Sequence, residues 1–169
     1  MNEKMNGKSR RSFCLKTASM IGSAFTGCNL SMAKSIKNPE IPLGFDNFSI
    51  RALGWKAPQF LTYAQSKKVD TVLFSDLDVY ESFDSNYLNE IKQEGKRMGI
   101  SIQAGTGGIC PTSKSFKSKY GSAEEHLRLL IRVAKDVGSS VARCYLGTMK
   151  DRHGKGGIQQ HITKTVQVL

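Results

Sequence analysis

Short apolar segments alternate with helical patterns between residues 41 and 169, and this alternation constrains the fold more than any other feature. The apolar segments are bounded by turn residues, which is typical of buried strands. They cover residues 41–46, 69–74, 100–104 and 140–146. A succession of about four strand–helix units predicts an α/β fold, with a parallel sheet joined by right-handed helical crossovers.

Helix boundaries are marked by recognisable residues. Pro58 suits the first turn of a helix over 55–68, and Gly99 suits the end of a helix over 85–99. Ser122 to Glu125 form a capping box that opens the third helix, for which Leu127, Leu130, Ile131 and Ala134 are the predicted apolar face. Ile158, Ile162, Val166 and Leu169 predict a fourth amphipathic helix.

Residues 105–121 are interpreted as a long loop between the third strand and the third helix. Its glycine run, Gly105 to Gly108, matches neither the dinucleotide-binding pattern nor the Walker A pattern. We therefore favour a flexible access loop over a phosphate cradle.

The N-terminal segment is interpreted as a targeting segment rather than as part of the fold. Arg10 and Arg11 precede Phe13 and a mildly apolar run over 17–27, a pattern that resembles a bacterial twin-arginine export signal. The run is too short and too polar for a permanent membrane span. We expect a disordered or helical signal peptide over 1–33, a linker over 34–40 and export to the periplasm by the twin-arginine machinery. A basic arm that binds nucleic acid is the alternative.

Two routes of signal processing remain open. Ser31 to Ala33 form a small-x-small cleavage site, which would release a soluble chain. Alternatively, Phe25 to Cys28 resemble a lipobox, in which Cys28 would carry a lipid anchor. We favour soluble release.

The formal charge of +11 overstates the basicity of the mature chain. Residues 1–33 carry five lysines and arginines against one glutamate, so a net +7 remains and is spread without a long basic block. Nucleic-acid binding is not required by this distribution. Of the cysteines, Cys110 and Cys144 lie outside the signal, and we expect both to be free thiols.

The number of units suggests part of a larger closed sheet. A (β/α)8 barrel needs about 250 residues, and the chain after the signal is roughly half as long. We expect the N-terminal half of such a barrel, with the last helix cut short, in a truncated or partial chain with exposed strand edges that favour pairing. An open doubly wound sheet of four strands is the alternative.

Four sequence blocks, in this order and spacing, resemble the bacterial sugar phosphate isomerase/epimerase group of the xylose isomerase-like TIM barrels. The blocks are 43–51, 69–81, 105–116 and 123–147. The resemblance spans residues 41–169 and implies a barrel that binds a divalent metal ion and moves a proton beside a sugar carbonyl or hydroxyl. It also implies that the metal ligands lie on later strands, beyond Leu169, so catalytic residues and metal ligands are not assigned in this chain.

Candidate substrate-binding residues follow from the position of active sites at the carboxyl ends of barrel strands. They are Asp46, Asp76, Asp78, Arg143 and Tyr145, and residues 105–108 follow the third strand at the same edge. The carboxylates would accept hydrogen bonds from sugar hydroxyls, and Arg143 would hold an anionic or carbonyl oxygen. Two alternatives remain: Asp76 and Asp78 cap the turn into the next helix, or Arg143 pairs with Asp46 because a charge in an apolar strand needs a partner.

The histidines show no metal-ligand spacing. His126 is interpreted as a solvated residue on the surface of a helix. His153 follows the fourth strand and could reach the site, and His161 falls on the last helix.

Three functions compete. The first is a metal-dependent isomerase or epimerase of a free sugar or keto-sugar, since sugar phosphates are scarce outside the cytoplasm. The second is a barrel relic that binds carbohydrate without converting it. The third is an endonuclease-IV-like phosphoesterase, which export and the absence of histidines on the early strands disfavour. Oligomeric state is left open.

Overall fold

A computed structural model describes residues 41–154 and 156–169. The expected signal peptide (1–33), the linker (34–40) and Cys28 lie outside the described residues. Everything below concerns the described part of the chain.

The core of the fold is a parallel sheet of four strands. The strands are β1 (Gly44–Asp46), β2 (Thr71–Phe74), β3 (Ser101–Gly108) and β4 (Ala142–Tyr145). Their spatial order is β1-β2-β3-β4, the same as their order in the chain, and every neighbouring pair is parallel. The predicted α/β fold with strands and helices in alternation is confirmed.

A helix follows each strand. The helices are α1 (Ala57–Ser66), α2 (Ser85–Met98), α3 (Ala123–Asp136) and α4 (Gly157–Val166). Short 3-10 helices at Asn47–Leu53, Leu77–Val79, Ser118–Tyr120 and Met149–His153 lie in the connections. None of the described helices is long and apolar enough to cross a membrane.

The predicted helix signals act as expected. Pro58 lies in the first turn of α1, and Gly99 ends α2 with a left-handed φ of 69° that suits glycine. At the start of α3, the backbone N–H of Glu125 donates to Ser122 Oγ at 3.2 Å, and the Ser122 N–H donates to Glu125 Oε2 at 2.7 Å. Together these two bonds form the predicted capping box.

The helices α1, α2 and α3 pack on one face of the sheet. Val72, Phe74, Ile102 and Ala104 alternate along β2 and β3 and are buried in the core with residues of α1, α2 and α3. The residues between them on the other face, including Leu73 and Gln103, are only half-buried. One face of the sheet is thus covered by helices and the other is partly open.

The glycine run is not the predicted loop, because Gly105 to Gly108 are the second half of β3. Gly105 pairs with Arg143 and Gly108 with Tyr145, with an irregularity between them. A Cβ at position 105 would lie 3.1 Å from the Phe74 carbonyl oxygen and 3.2 Å from the Arg143 carbonyl oxygen. Glycine therefore allows three strands to approach closely at this point.

The predicted apolar faces of the last two helices also need correction. In α3 the buried face includes His126, Leu130 and Val133, whereas Ile131 is exposed. In α4 the predicted apolar residues Ile158, Ile162 and Val166 are exposed, while Thr165 is buried. The periodicity predicts both helices, but packing decides which face of each helix is buried.

Candidate functional site

An open cavity of about 630 Å³ lies at the carboxyl ends of the strands. All five predicted substrate-binding residues line it: Asp46 ends β1, Asp76 and Asp78 follow β2, and Arg143 and Tyr145 come from β4. Parallel strands end at the same edge of a sheet, so residues far apart in sequence meet there. The cavity volume lies in the range of small-molecule sites.

Asp46 and Asp76 cap the backbone that follows their strands. Asp46 Oδ1 accepts a hydrogen bond from the Phe48 N–H at 2.9 Å. Asp76 Oδ1 accepts one from the Asp78 N–H at 3.0 Å, at the start of the Leu77–Val79 helix. The capping alternative therefore describes Asp76, although both carboxylates also face the cavity.

Asn47 joins the ends of β1 and β2. Its side chain is buried, its Oδ1 accepts from the backbone N–H of Ser75 at 2.8 Å, and its Nδ2 donates to Asp76 Oδ2 at 2.9 Å. This second bond fixes the orientation of Asp76 at the cavity wall. Sequence reasoning missed Asn47, although its position just after a strand end is the signal that could have found it.

Asp78 is held by a basic residue and a tyrosine from the connection before α3. Lys119 Nζ and Tyr120 Oη both donate to Asp78 Oδ1. Partial burial raises the pKa of the Asp78 carboxyl, but the bonds from Lys119 and Tyr120 outweigh this and lower it overall. Asp78 is therefore ionised and engaged in an ion pair rather than capping a helix.

Arg143 has a different environment from the one expected. Strand β4 is mostly exposed, and Arg143 is an exposed residue on it. The guanidinium lies over the Tyr145 ring, with Cζ 5.8 Å from the ring centroid. No ion pair joins Arg143 to Asp46 within the described residues. The alternative of a pair between Arg143 and Asp46 is therefore wrong: among the described residues the Arg143 side chain is exposed, so its charge is solvated and needs no buried partner.

Cations and carboxylates at the cavity are not matched one to one. Arg51, Lys117, Lys119 and Arg143 line it together with three aspartates. Lys119 pairs with Asp78, and Arg51 donates to the Phe48 carbonyl oxygen at 3.0 Å. The side chains of Lys117 and Arg143 make no hydrogen bond or ion pair to any described residue. They are available to donate to acceptor oxygens of a ligand.

The prediction that His126 is solvated was wrong. The residue is 4% exposed and lies at the wall of the cavity. Its Nε2 lies 2.6 Å from Thr106 Oγ1, and the Tyr120 ring packs on it at a centroid distance of 5.0 Å. The spacing of His126, Leu130 and Val133 places all three on one helical face, which is the signal that could have identified it.

The other histidines do not reach this cavity. His153 is exposed in the Met149–His153 helix. His161 lies on α4, where Nδ1 is 2.8 Å from Thr112 Oγ1 and 3.5 Å from Cys110 Sγ. This cluster holds α4 against the segment after β3. Burial opposes ionisation of the Cys110 thiol, but hydrogen bonds from Thr112, Thr165 and His161 outweigh it and lower its pKa to about 7.

Both cysteines of the described region are free thiols, Cys110 buried and Cys144 half-buried. His161 also lines a second cavity of about 300 Å³, together with apolar residues such as Leu146 and Ile162. That cavity lies beside α4, and none of the five predicted residues lines it.

The described residues do not fit a divalent metal ion. Three or more histidine, cysteine, aspartate or glutamate side chains do not converge anywhere in residues 41–154 and 156–169. The three aspartates at the cavity each accept hydrogen bonds from protein donors.

The cavity thus unites carboxylates, two uncommitted cations, aromatic rings and a buried hydroxyl–imidazole pair at one end of a parallel sheet. This set can form many hydrogen bonds to a polar ligand of modest size. In comparisons with known proteins, no family model matches this chain, and no curated protein matches it.

Proposed function

We propose that this protein is an exported sugar isomerase- or epimerase-like protein, and that residues 41–169 form a sugar-binding part of a (β/α)8 barrel. The ligand is a free sugar or keto-sugar bound in the cavity at the strand ends. The observation that carries the proposal is the convergence of side chains from the ends of all four described strands on one cavity.

The strand order supports a barrel. In a barrel, consecutive strands are neighbours, whereas a doubly wound sheet reverses its strand order at a switch point and carries helices on both faces. The described strands run in sequential order, and the helices α1, α2 and α3 share one core with a single face of the sheet. The half-buried opposite face corresponds to the interior of a barrel.

The composition of the cavity supports a carbohydrate ligand. Sugars present many hydroxyls, which carboxylates and cations bind, and apolar C–H faces, which pack on aromatic rings. Phe48 and Tyr145 are exposed at 55% and 40% and line the cavity beside Arg51 and Arg143. Exposed aromatic residues beside charged groups are typical of sites for polar ligands with an apolar face.

The resemblance to the isomerase/epimerase group suggests proton transfer beside a polarised carbonyl. In that group the metal ion supplies the polarisation, and its ligands would have to come from outside the described residues. The groups present here bind and orient the sugar. Binding without conversion is the second candidate function, and the same cavity residues support it.

Ligand titration tests the proposal. We expect free ketoses or aldoses to shift amide resonances of residues at the strand ends and to bind measurably by calorimetry. Arg143→Ala should weaken binding, because it removes an uncommitted donor at the cavity. Arg97→Ala is the matched control, because Arg97 is an exposed residue of α2 outside the cavity. Binding or isomerisation confined to phosphorylated sugars would contradict the free-sugar assignment.

Export is tested on the mature N-terminus. Mass spectrometry should find a chain that begins near Lys34 in the periplasm. Diacylglycerol on Cys28 would show anchoring instead of soluble release, and a chain retained in the cytoplasm with its N-terminus intact would contradict export.

A further inference from the structure

The pair formed by Thr106 and His126 is incompletely satisfied. Thr106 is 1% exposed and His126 is 4% exposed, yet both line the cavity. The contact between Thr106 Oγ1 and His126 Nε2, at 2.6 Å, is the one hydrogen bond that either side chain makes to another described residue. His126 Nδ1 is buried and has no hydrogen-bond partner in this part of the chain.

The two neutral forms of His126 leave different groups unpaired. If the Thr106 hydroxyl donates to Nε2, the proton of the ring lies on Nδ1, and a buried N–H remains without an acceptor. If Nε2–H donates to Thr106 Oγ1, the buried Nδ1 is a lone pair without a donor. Buried N–H groups without partners are rarer in proteins than unpaired acceptors. The second form is therefore favoured.

This form leaves the Thr106 hydroxyl proton without an acceptor. Because Oγ1 already accepts from His126, its own O–H must point elsewhere. Thr106 lies at the end of β3 among cavity-lining residues, beside Gly107 and Gly108. An oxygen atom in the cavity can take up that proton in a hydrogen bond.

We infer that Thr106 donates a hydrogen bond to an acceptor oxygen of the bound ligand, with His126 as the residue that positions its hydroxyl. This inference rests on the proposed function and specifies it: the oxygen is the carbonyl oxygen of a keto-sugar, or the ring or hydroxyl oxygen of its closed form. The ligand is thereby recognised at the end of β3 as well as at the ends of the other strands.

The surroundings of His126 keep it neutral, as this role requires. Burial lowers the pKa of the imidazole. The Tyr120 ring covers it, and Tyr120 Oη is itself engaged by Asp78. A neutral imidazole with Nε2–H donates one hydrogen bond to Thr106 Oγ1, which leaves the Thr106 hydroxyl proton available to donate toward the cavity.

The first arm of the test requires no ligand. Long-range ¹⁵N–¹H NMR on the full chain distinguishes the two tautomers of His126 by their nitrogen shifts. We expect Nε2–H at pH 7.5. A ring protonated at Nδ1 would overturn the inference, because the Thr106 hydroxyl would then donate its proton to His126 Nε2.

The second arm uses xylulose and the matched polyol xylitol as probes in calorimetric titrations. We expect Thr106→Val to weaken xylulose binding about three- to tenfold, the effect of one hydrogen bond, and Thr106→Ser to keep affinity within about twofold. The loss of affinity caused by Thr106→Val should be smaller for xylitol than for xylulose if the carbonyl oxygen is the acceptor. Equal losses for the two probes indicate a hydroxyl acceptor and support the inference in its second form.

Failure of the inference and failure of the proposed function have different signatures. If the wild-type chain binds xylulose and Thr106→Val binds it equally well, with an unchanged unfolding midpoint, Thr106 is not a ligand donor. If the wild-type chain binds neither these probes nor other free sugars, the proposed function fails, and the tautomer measurement alone decides the arrangement of the pair. His126→Gln provides the check on positioning, because its amide retains a donor for Thr106.

Discussion

Asn47 Nδ2 donates to Asp76 Oδ2 at 2.9 Å, and this bond ties the carboxyl end of β1 to that of β2. The same amide accepts from the Ser75 backbone N–H at 2.8 Å and from Ser75 Oγ at 3.1 Å. One buried side chain thus satisfies a backbone donor and orients a carboxylate of the cavity. The arrangement links the stability of the sheet to the geometry of the site.

Asn47→Ala should destabilise the protein and also disturb the cavity. The Ser75 N–H would lose its acceptor, and a buried unpaired donor costs about 1–3 kcal/mol in the free energy of unfolding. Chemical denaturation measures this loss. Asn86→Ala, an exposed position on α2, is the control and should change stability little. A loss for Asn47→Ala no larger than for the control would show that water replaces the amide.

Gly105→Ala should be costly, whereas Gly107→Ala should not. A Cβ at position 105 meets two carbonyl oxygens and the Ser75 Cα within 3.2 Å, and overpacking of this kind costs about 1–3 kcal/mol. At position 107 the nearest atom, Tyr145 Oη, lies 3.5 Å away, an ordinary contact. Thermal unfolding of the two variants gives the comparison. Similar midpoints would contradict the close approach of the strands.

His126 should make stability depend on pH in a defined direction. Burial lowers its pKa in the folded state below the ordinary value of 6.5. The unfolded chain then binds a proton near pH 6.5 that the folded chain does not yet bind, so the free energy of unfolding falls as the pH decreases from about 6.5 toward the folded pKa. Above about pH 6.5, His126 is neutral in both the folded and the unfolded chain, so it no longer reduces the free energy of unfolding.

The measurement is denaturation of wild type and His126→Gln between pH 5 and 8. The variant should lose part of the pH dependence in that window. His153→Gln, a change at an exposed histidine, should retain the wild-type profile. Identical profiles for wild type and His126→Gln would mean that the imidazole is solvated.

Asp151 should stabilise the segment after β3. Its carboxylate accepts from Ser113 Oγ at 2.7 Å, the Lys114 N–H at 3.0 Å and the Thr148 N–H at 2.7 Å. The backbone bonds from Thr148 and Lys114, followed by the Ser113 hydroxyl, hold the pKa of this carboxyl well below its usual range. The stabilisation is present above about pH 4 and is lost as the pH falls further toward the folded pKa.

Asp151→Asn should therefore lower the melting temperature at pH 7, because the amide directs a donor toward groups that donate. It should also reduce the acid dependence of stability below pH 4. Asp136→Asn is the control, since Asp136 is only half-buried and its Oδ2 accepts one side-chain bond, from Ser85. Equal melting temperatures for the two variants would contradict the bridging role of Asp151.

The sequence by itself determined which elements form and where β1 and β2 end. Strand and helix periods, Gly99 and the Ser122–Glu125 box are local signals, and the structure follows them because each depends only on neighbours in the chain. The rule that parallel strands end together then brought Asp46, Asp76, Asp78, Arg143 and Tyr145 to one cavity.

Only the tertiary structure decided which way each element faces and what its side chains contact. The sequence of Gly105 to Gly108 predicts a loop, but these residues form a strand because they pair with β4. Main-chain hydrogen bonds to a distant segment outweigh the local preference here. The charged neighbours of His126 predict a solvated side chain, but the packing of α3 buries it in contact with Thr106. The spacing of His126 with Leu130 and Val133 is a local sign of its burial, but its contact with Thr106 joins α3 to β3 and depends on the tertiary packing of the two elements.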